Sequence, residues 1–123
     1  MAQTFIAQEF TTFYYATFDG DRSALRNLYR PTSMLSFEGS PVMGVDAIVE
    51  KLVNLPFKQV AHRVATQDAQ PSSPSVASII VSVTGQLIVD DSEHPLNFSQ
   101  VFHLVPDDTG YYVLNDIFRL NYG

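Results

Sequence analysis

The apolar residues of this chain change their spacing near residue 60, and that change limits the folds open to it. Upstream, Ile6, Phe10, Phe13, Tyr14 and Phe18 recur at three- and four-residue steps, the mark of a helix over residues 4–18 with one buried face. Asp19-Gly20-Asp21 ends it. Asp21 is placed to cap a short second helix carrying Leu25, Leu28 and Tyr29 and stopped by Pro31. Met34, Leu35 and Phe37 then form a short extended piece before the turn Glu38-Gly39-Ser40-Pro41. A third helix follows on the face Val45, Ile48, Val49 and Leu52, with Asp46 at its positive end and Pro56 closing it.

Downstream the period is two. Val60, His62, Val64 and Thr66 alternate with Ala61, Arg63, Ala65 and Gln67, as in a long strand with two unlike faces. After the loop Pro71-Ser72-Ser73-Pro74-Ser75 come strand runs over 76–89, 96–105 and 111–122, separated by the turns Asp90 to Pro95 and Pro106 to Gly110. Runs this long must curl, with Gly85 a candidate bulge or bend. The expected architecture is a single α+β domain over residues 1–123, a cone-shaped roll of three helices packed on a strongly curled antiparallel sheet. Ile79 and Ile80, Val101 and Phe102, and Ile117 and Phe118 put apolar residues on both sheet faces. One face lines the cone; the other needs a cover, which sheet-to-sheet homodimerisation supplies.

At 123 residues such a domain buries enough surface to stand without staples, and a cysteine count of zero removes disulfides and cysteine-ligated metals. The formal charge of −6 is the wrong sign for gripping a phosphate backbone, so nucleic acid is not expected as a partner, whereas proteins with basic patches are. No run of eighteen apolar residues and no signal-like N-terminus is present, so membrane insertion is not expected and a cytosolic or nuclear location is. The absence of a linker after the last strand run leads us to expect a whole protein.

No metal-ligand spacing, phosphate loop or nucleophile elbow occurs, and neither metal nor cofactor is expected. His62, His94 and His103 are far apart and read as ordinary strand or loop histidines. Asp116 leaves two readings open. It either points into the core, hydrogen-bonded or with a raised pKa, or it faces the rim or an interface and pairs with Arg63 or Arg119. Asp90, Asp91 and Glu93 share one turn, and Glu38 sits at a strand end beside Phe37. If both loops reach the same rim, four carboxylates surround an apolar mouth, a docking site for a basic partner with an aromatic anchor. Glu38 is expected there with no partner inside its own chain. Phe5, off the apolar helical face, is the best candidate for a surface apolar contact.

Phe13-Tyr14-Tyr15 with Phe18-Asp19-Gly20-Asp21-Arg22, Leu35-Ser36-Phe37-Glu38-Gly39, Ile48-Val49-Glu50-Lys51-Leu52, Leu55-Pro56-Phe57, Asp68-Ala69-Gln70-Pro71, Gly85-Gln86-Leu87, Phe98-Ser99-Gln100-Val101-Phe102 and Asn115-Asp116-Ile117-Phe118-Arg119-Leu120 together resemble the nuclear transport factor 2 family, particularly its fungal members. The resemblance spans essentially the whole chain. It implies a cone-shaped homodimer, not an enzyme, that binds the GDP form of the Ran GTPase and FxFG-repeat nucleoporins and carries Ran into the nucleus, moving between cytoplasm and nucleus and concentrating at the nuclear pore. By motif position the Ran-binding acids would be Glu38, Asp90, Asp91 and Glu93. The mouth, which takes a Ran aromatic, would be lined by Phe37, Leu55, Val60, Val101, Ile117 and Phe118. Phe5 would stand in for the family's N-terminal aromatic at the nucleoporin site.

Two rival readings remain on the same fold, because fold alone does not decide function. A small-molecule isomerase or dehydratase would need Asp116, Tyr14 and His62 to converge in a cavity. A heterodimerising relative of the mRNA-export adaptors, or a dimerisation module of a larger protein, is the other.

Overall fold

The computed structural model describes residues 2–90 and 92–122. Helix α1 runs Ala2–Gly20, a 3-10 helix covers Arg22–Leu28, and strands β1 (Tyr29–Phe37) and β2 (Ser40–Met43) form a hairpin. Helix α2 (Val45–Val53) leads into strands β3 (Val60–Pro71), β4 (Ile79–Val89), β5 (Leu96–Asp107) and β6 (Gly110–Asn121). The six strands make one curled, unclosed sheet in the order β2-β1-β6-β5-β4-β3, with α1 packed on β3 and β4. The expected α+β roll is what the chain forms, with one departure in its pairing. Strand β1 lies parallel to β6, in register Leu35 with Asp116 and Phe37 with Phe118, so the sheet is mixed.

The helices follow their sequence signals with two corrections. Asp21 does cap the second helix, its side chain accepting from Ser23 N at 3.1 Å, but that helix is a 3-10 turn ending at Leu28. Tyr29 and Pro31 belong to β1 instead, because Tyr29 is drawn into the core as the first residue of the strand. On α1 the buried face is Ala7, Phe10, Tyr14, Tyr15 and Phe18, while Phe13 is 57% exposed. Tyr15 takes the inward place because its ring meets aromatic partners there, among them His62 stacked at 4.4 Å and Phe98 edge-on at 6.0 Å. Helix α2 buries Ile48, Val49 and Leu52 as its spacing requires.

The bulge expected at Gly85 sits across from it. The register of β3 against β4 shifts between Val64 and Thr66, and Gly85, opposite Val64, leaves the room. A Cβ on Gly85 would meet the Arg63 carbonyl oxygen at 2.3 Å. Strand parity then sorts the sheet. Val81 and Val83 of β4, Phe98, Phe102 and Leu104 of β5, and Val113 and Phe118 of β6 point inward as the core. Ile80, Val101 and Ile117 point outward.

Candidate functional site

The sheet's curl gathers one set of strand ends into a rim. Cross-strand register carries it around: Val60 at the start of β3 faces Val89 at the end of β4, Leu87 faces Leu96, Phe98 faces Leu120, and Phe118 faces Phe37. The mouth inside this rim is aromatic. The Phe37 ring stacks on Phe118 at 4.6 Å and an interplanar angle of 5°, and Phe118 stacks on Phe98 at 5.5 Å. Val60 is buried and Leu55 half-buried against the same cluster. The segment between α2 and β3 is held there by Arg22, whose Nη2 donates to the Phe57 carbonyl at 2.8 Å while its guanidinium covers the Phe57 ring at 5.1 Å. Phe57, Phe98 and Arg22 were not singled out for the mouth in sequence. All three lie inside the family motifs quoted above, so a signal for them was present.

Val101 and Ile117 do not line this mouth. They face each other across β5 and β6 on the outer side of the sheet, where Ile117 is 50% exposed. The physical reason is parity: Phe102 and Phe118 take the inward positions, and the neighbouring residue must then point the other way. The outer face carries Met34, Ile80, Val101 and Ile117, with Arg119 and His103 among them.

Two acids mark the rim, and each is tied into the fold. Both Glu38 (φ 53°) and Asp90 (φ 48°) adopt the left-handed conformation that lets a strand end turn sharply. Glu38 N donates to the Phe118 carbonyl at 3.0 Å, and Glu38 Oε1 accepts from Leu120 N, so the residue extends the β1–β6 ladder by one rung. The expectation that Glu38 has no partner inside its own chain is therefore wrong. Asp90 Oδ1 accepts from Lys58 N at 3.0 Å and Gln59 N at 2.8 Å, which clamps the segment before β3 to the end of β4. Glu93 is exposed in the same turn, and Asp91 lies outside the described residues. One oxygen of each rim carboxylate is thus a structural acceptor. The negative charge itself has no cationic partner among the described ion pairs.

The set required for an isomerase does not assemble. Asp116 and Tyr14 meet deep in the core, where Tyr14 Oη and Tyr29 Oη donate toward Asp116 Oδ2 at 3.2 and 2.8 Å. His62 is elsewhere, its Nδ1 2.6 Å from Asp19 Oδ1 and its ring flat on Tyr15. The core reading of Asp116 is the correct one, and Arg63 and Arg119 are not its partners. On the opposite side of α1, Phe5 (62% exposed) and Phe13 share a surface with Gln8, Glu9, Thr12 and Ala16.

Comparison with known proteins agrees with this layout. The family model described as the nuclear transport factor 2 (NTF2) domain matches residues 6–120. The chain is 61% identical over 117 residues to nuclear transport factor 2 of Candida glabrata, covering 95% of this chain and 93% of that one. It is 58% identical over 118 residues to that of Schizosaccharomyces pombe, covering 96% and 95%. The solved nuclear transport factor 2 of Cryptosporidium parvum superposes with a TM-score of 0.90 at 42% identity, over 97% of this chain and 94% of that one. With an aromatic mouth, an acidic rim and likeness along nearly its whole length, the chain belongs to the nuclear transport factor 2 family.

Proposed function

We propose that the chain is a non-enzymatic carrier that binds the GDP form of the Ran GTPase at the aromatic mouth and FxFG nucleoporins along α1, bringing Ran into the nucleus. The supporting observation is the pairing of the stacked Phe37–Phe118 mouth with the carboxylates of Glu38 and Asp90 on its rim. An aromatic anchor entering the mouth would desolvate the rim and strengthen its attraction for basic residues beside that anchor. Glu93 and Asp91 add to that charge. Capture of purified Ran loaded with GDP but not with GTP is the expected result, and equal capture of both forms would overturn the reading. The carrier works in cytoplasm and nucleus and concentrates at the pore.

Nucleoporin binding rests on the exposed pair Phe5 and Phe13, which share one face of α1. Phenylalanine contacts of this size are individually weak and exchange fast, which passage through many repeats requires. Phe5→Ala and Phe13→Ala should each weaken FxFG peptide binding by about fivefold or more, the loss expected for a truncated contact aromatic, with Ran-GDP affinity unchanged. Titration calorimetry or NMR shift mapping reads both.

The outward apolar stripe Ile80, Val101 and Ile117 is the proposed homodimer interface. Charge placed at its centre would be buried without a partner, so Ile117→Asp should turn a dimer into a folded monomer in sedimentation at micromolar concentration. A wild-type monomer under the same conditions would remove this part of the proposal.

A further inference from the structure

Asp116 is the sole acid among the buried described residues, 1% exposed, and neither binding surface uses it. It is faced by Tyr14 and Tyr15 from α1, Tyr29 from β1 and Gln100 from β5, while its register neighbours Leu35 and Phe102 are apolar. No lysine, arginine or histidine among the described residues forms an ion pair with it. Behind this shell His62 stacks on Tyr15 and pairs with Asp19, while His103 lies one register position along on the other face of the sheet, where it bonds to Asn115.

The two carboxyl oxygens have different surroundings. Oδ1 accepts from Gln100 Nε2 at 2.7 Å, and that amide is fixed by the Tyr15 hydroxyl, which donates to Gln100 Oε1 at 2.9 Å. Oδ2 forms a triangle with the hydroxyl oxygens of Tyr14 and Tyr29, with sides of 2.7 Å between the tyrosines, 2.8 Å to Tyr29 and 3.2 Å to Tyr14. Each hydroxyl brings one proton. Two protons cannot fill three sides, so an ionised carboxylate leaves one pair of oxygens facing each other with no hydrogen between them. A proton on Oδ2 closes the ring. Oδ2 then donates to Tyr14, Tyr14 to Tyr29, and Tyr29 back to Oδ2.

We propose that the Asp116–Tyr14–Tyr29 triangle is a proton-binding site, so that the folded chain takes up a proton at Asp116 and is stabilised by it as the medium turns mildly acidic. Burial supports this, pushing the Asp116 carboxyl up to about 6 against the hydrogen bonds from Gln100, Tyr29 and Tyr14 that pull it down. Burial also raises the Tyr14 and Tyr29 hydroxyls, with the Asp116 charge adding to the effect, so both remain donors. The folded carboxyl therefore holds its proton more tightly than the unfolded one. The stabilisation is complete below the ordinary aspartate range and is lost as the pH rises through about 6. Between pH 7 and pH 5 the folding equilibrium constant should rise about tenfold from this group alone.

An asparagine at this position carries no titrating proton, so Asp116→Asn isolates the contribution of this one carboxyl from that of the rest of the chain. At fixed protein concentration, the ratio of wild-type to Asp116→Asn folding constants, from urea unfolding, should climb about tenfold from pH 7 to pH 5. A flat ratio would overturn the proposal. The carboxyl carbon-13 shift of Asp116 in the wild-type protein gives a direct reading that needs no variant to fold. Titration near pH 6 supports the site, and titration below about pH 4.5 refutes it.

Discussion

Glu38→Lys is expected to abolish Ran-GDP binding and to lower stability slightly, with the two effects separable. Reversing a charge beside an inserted aromatic replaces attraction by repulsion in a partly desolvated place, at about 3 kcal/mol or more than a hundredfold in affinity. The substitution also removes the acceptor of Leu120 N, the last rung of the β1–β6 ladder. That N–H is half-exposed, so its loss costs about 1 kcal/mol, which a domain stable by the usual margin survives. Glu38→Gln separates the effects, since its amide oxygen still accepts from Leu120 while the charge is gone. Binding by calorimetry and unfolding by urea on both variants decide the matter. Full Ran-GDP affinity in folded Glu38→Lys would show that the rim charge does not serve Ran.

Gly85→Ala should be the more damaging change to the fold itself. Its Cβ would stand 2.3 Å from the Arg63 carbonyl oxygen and 3.0 Å from Phe98 Cε1. The first of these is backbone, so β3 must move away from β4 at the bulge where the two strands shift register. Overpacking of this kind costs about 3 kcal/mol, or roughly 10 °C in melting temperature for a domain of this size. Phe98 belongs to the stack behind the mouth, so Ran-GDP affinity should fall along with stability. A variant melting within about 2 °C of wild type by scanning calorimetry would mean that the bulge yields freely.

The helices and the four long strands were legible because burial on one face imposes a period, and that period survives in the residues themselves. Sidedness was harder. Phe13 and Tyr15 flank Tyr14 equally on a helix, and which one turns inward depends on His62 and Phe98, far away in the chain. Val101 with Phe102 and Ile117 with Phe118 are apolar at both parities, so alternation carries no information about which of each pair enters the cone. Glu38 was found as a rim acid from its place beside Phe37, yet its bond to Leu120 spans 82 positions and has no local signature. Asp116 shows the same limit: a lone carboxylate in a strand says nothing of the two tyrosines brought to it from other elements.

The parallel pairing of β1 with β6 has a consequence for how the chain comes to be folded. Phe37 and Phe118 are neighbours in the sheet, and the strand that joins β1 to the rest of the sheet is the last one made. On a ribosome, α1 and β1 therefore wait with the β1 edge bare until the chain has grown past Asn121 and cleared the exit. Such high contact order slows folding, because the entropy of closing the long loop is spent before any rung forms. Until then β1 has its hairpin partner β2 and helix α2 against it, and Phe37 lacks the Phe118 ring on which it stacks in the finished sheet.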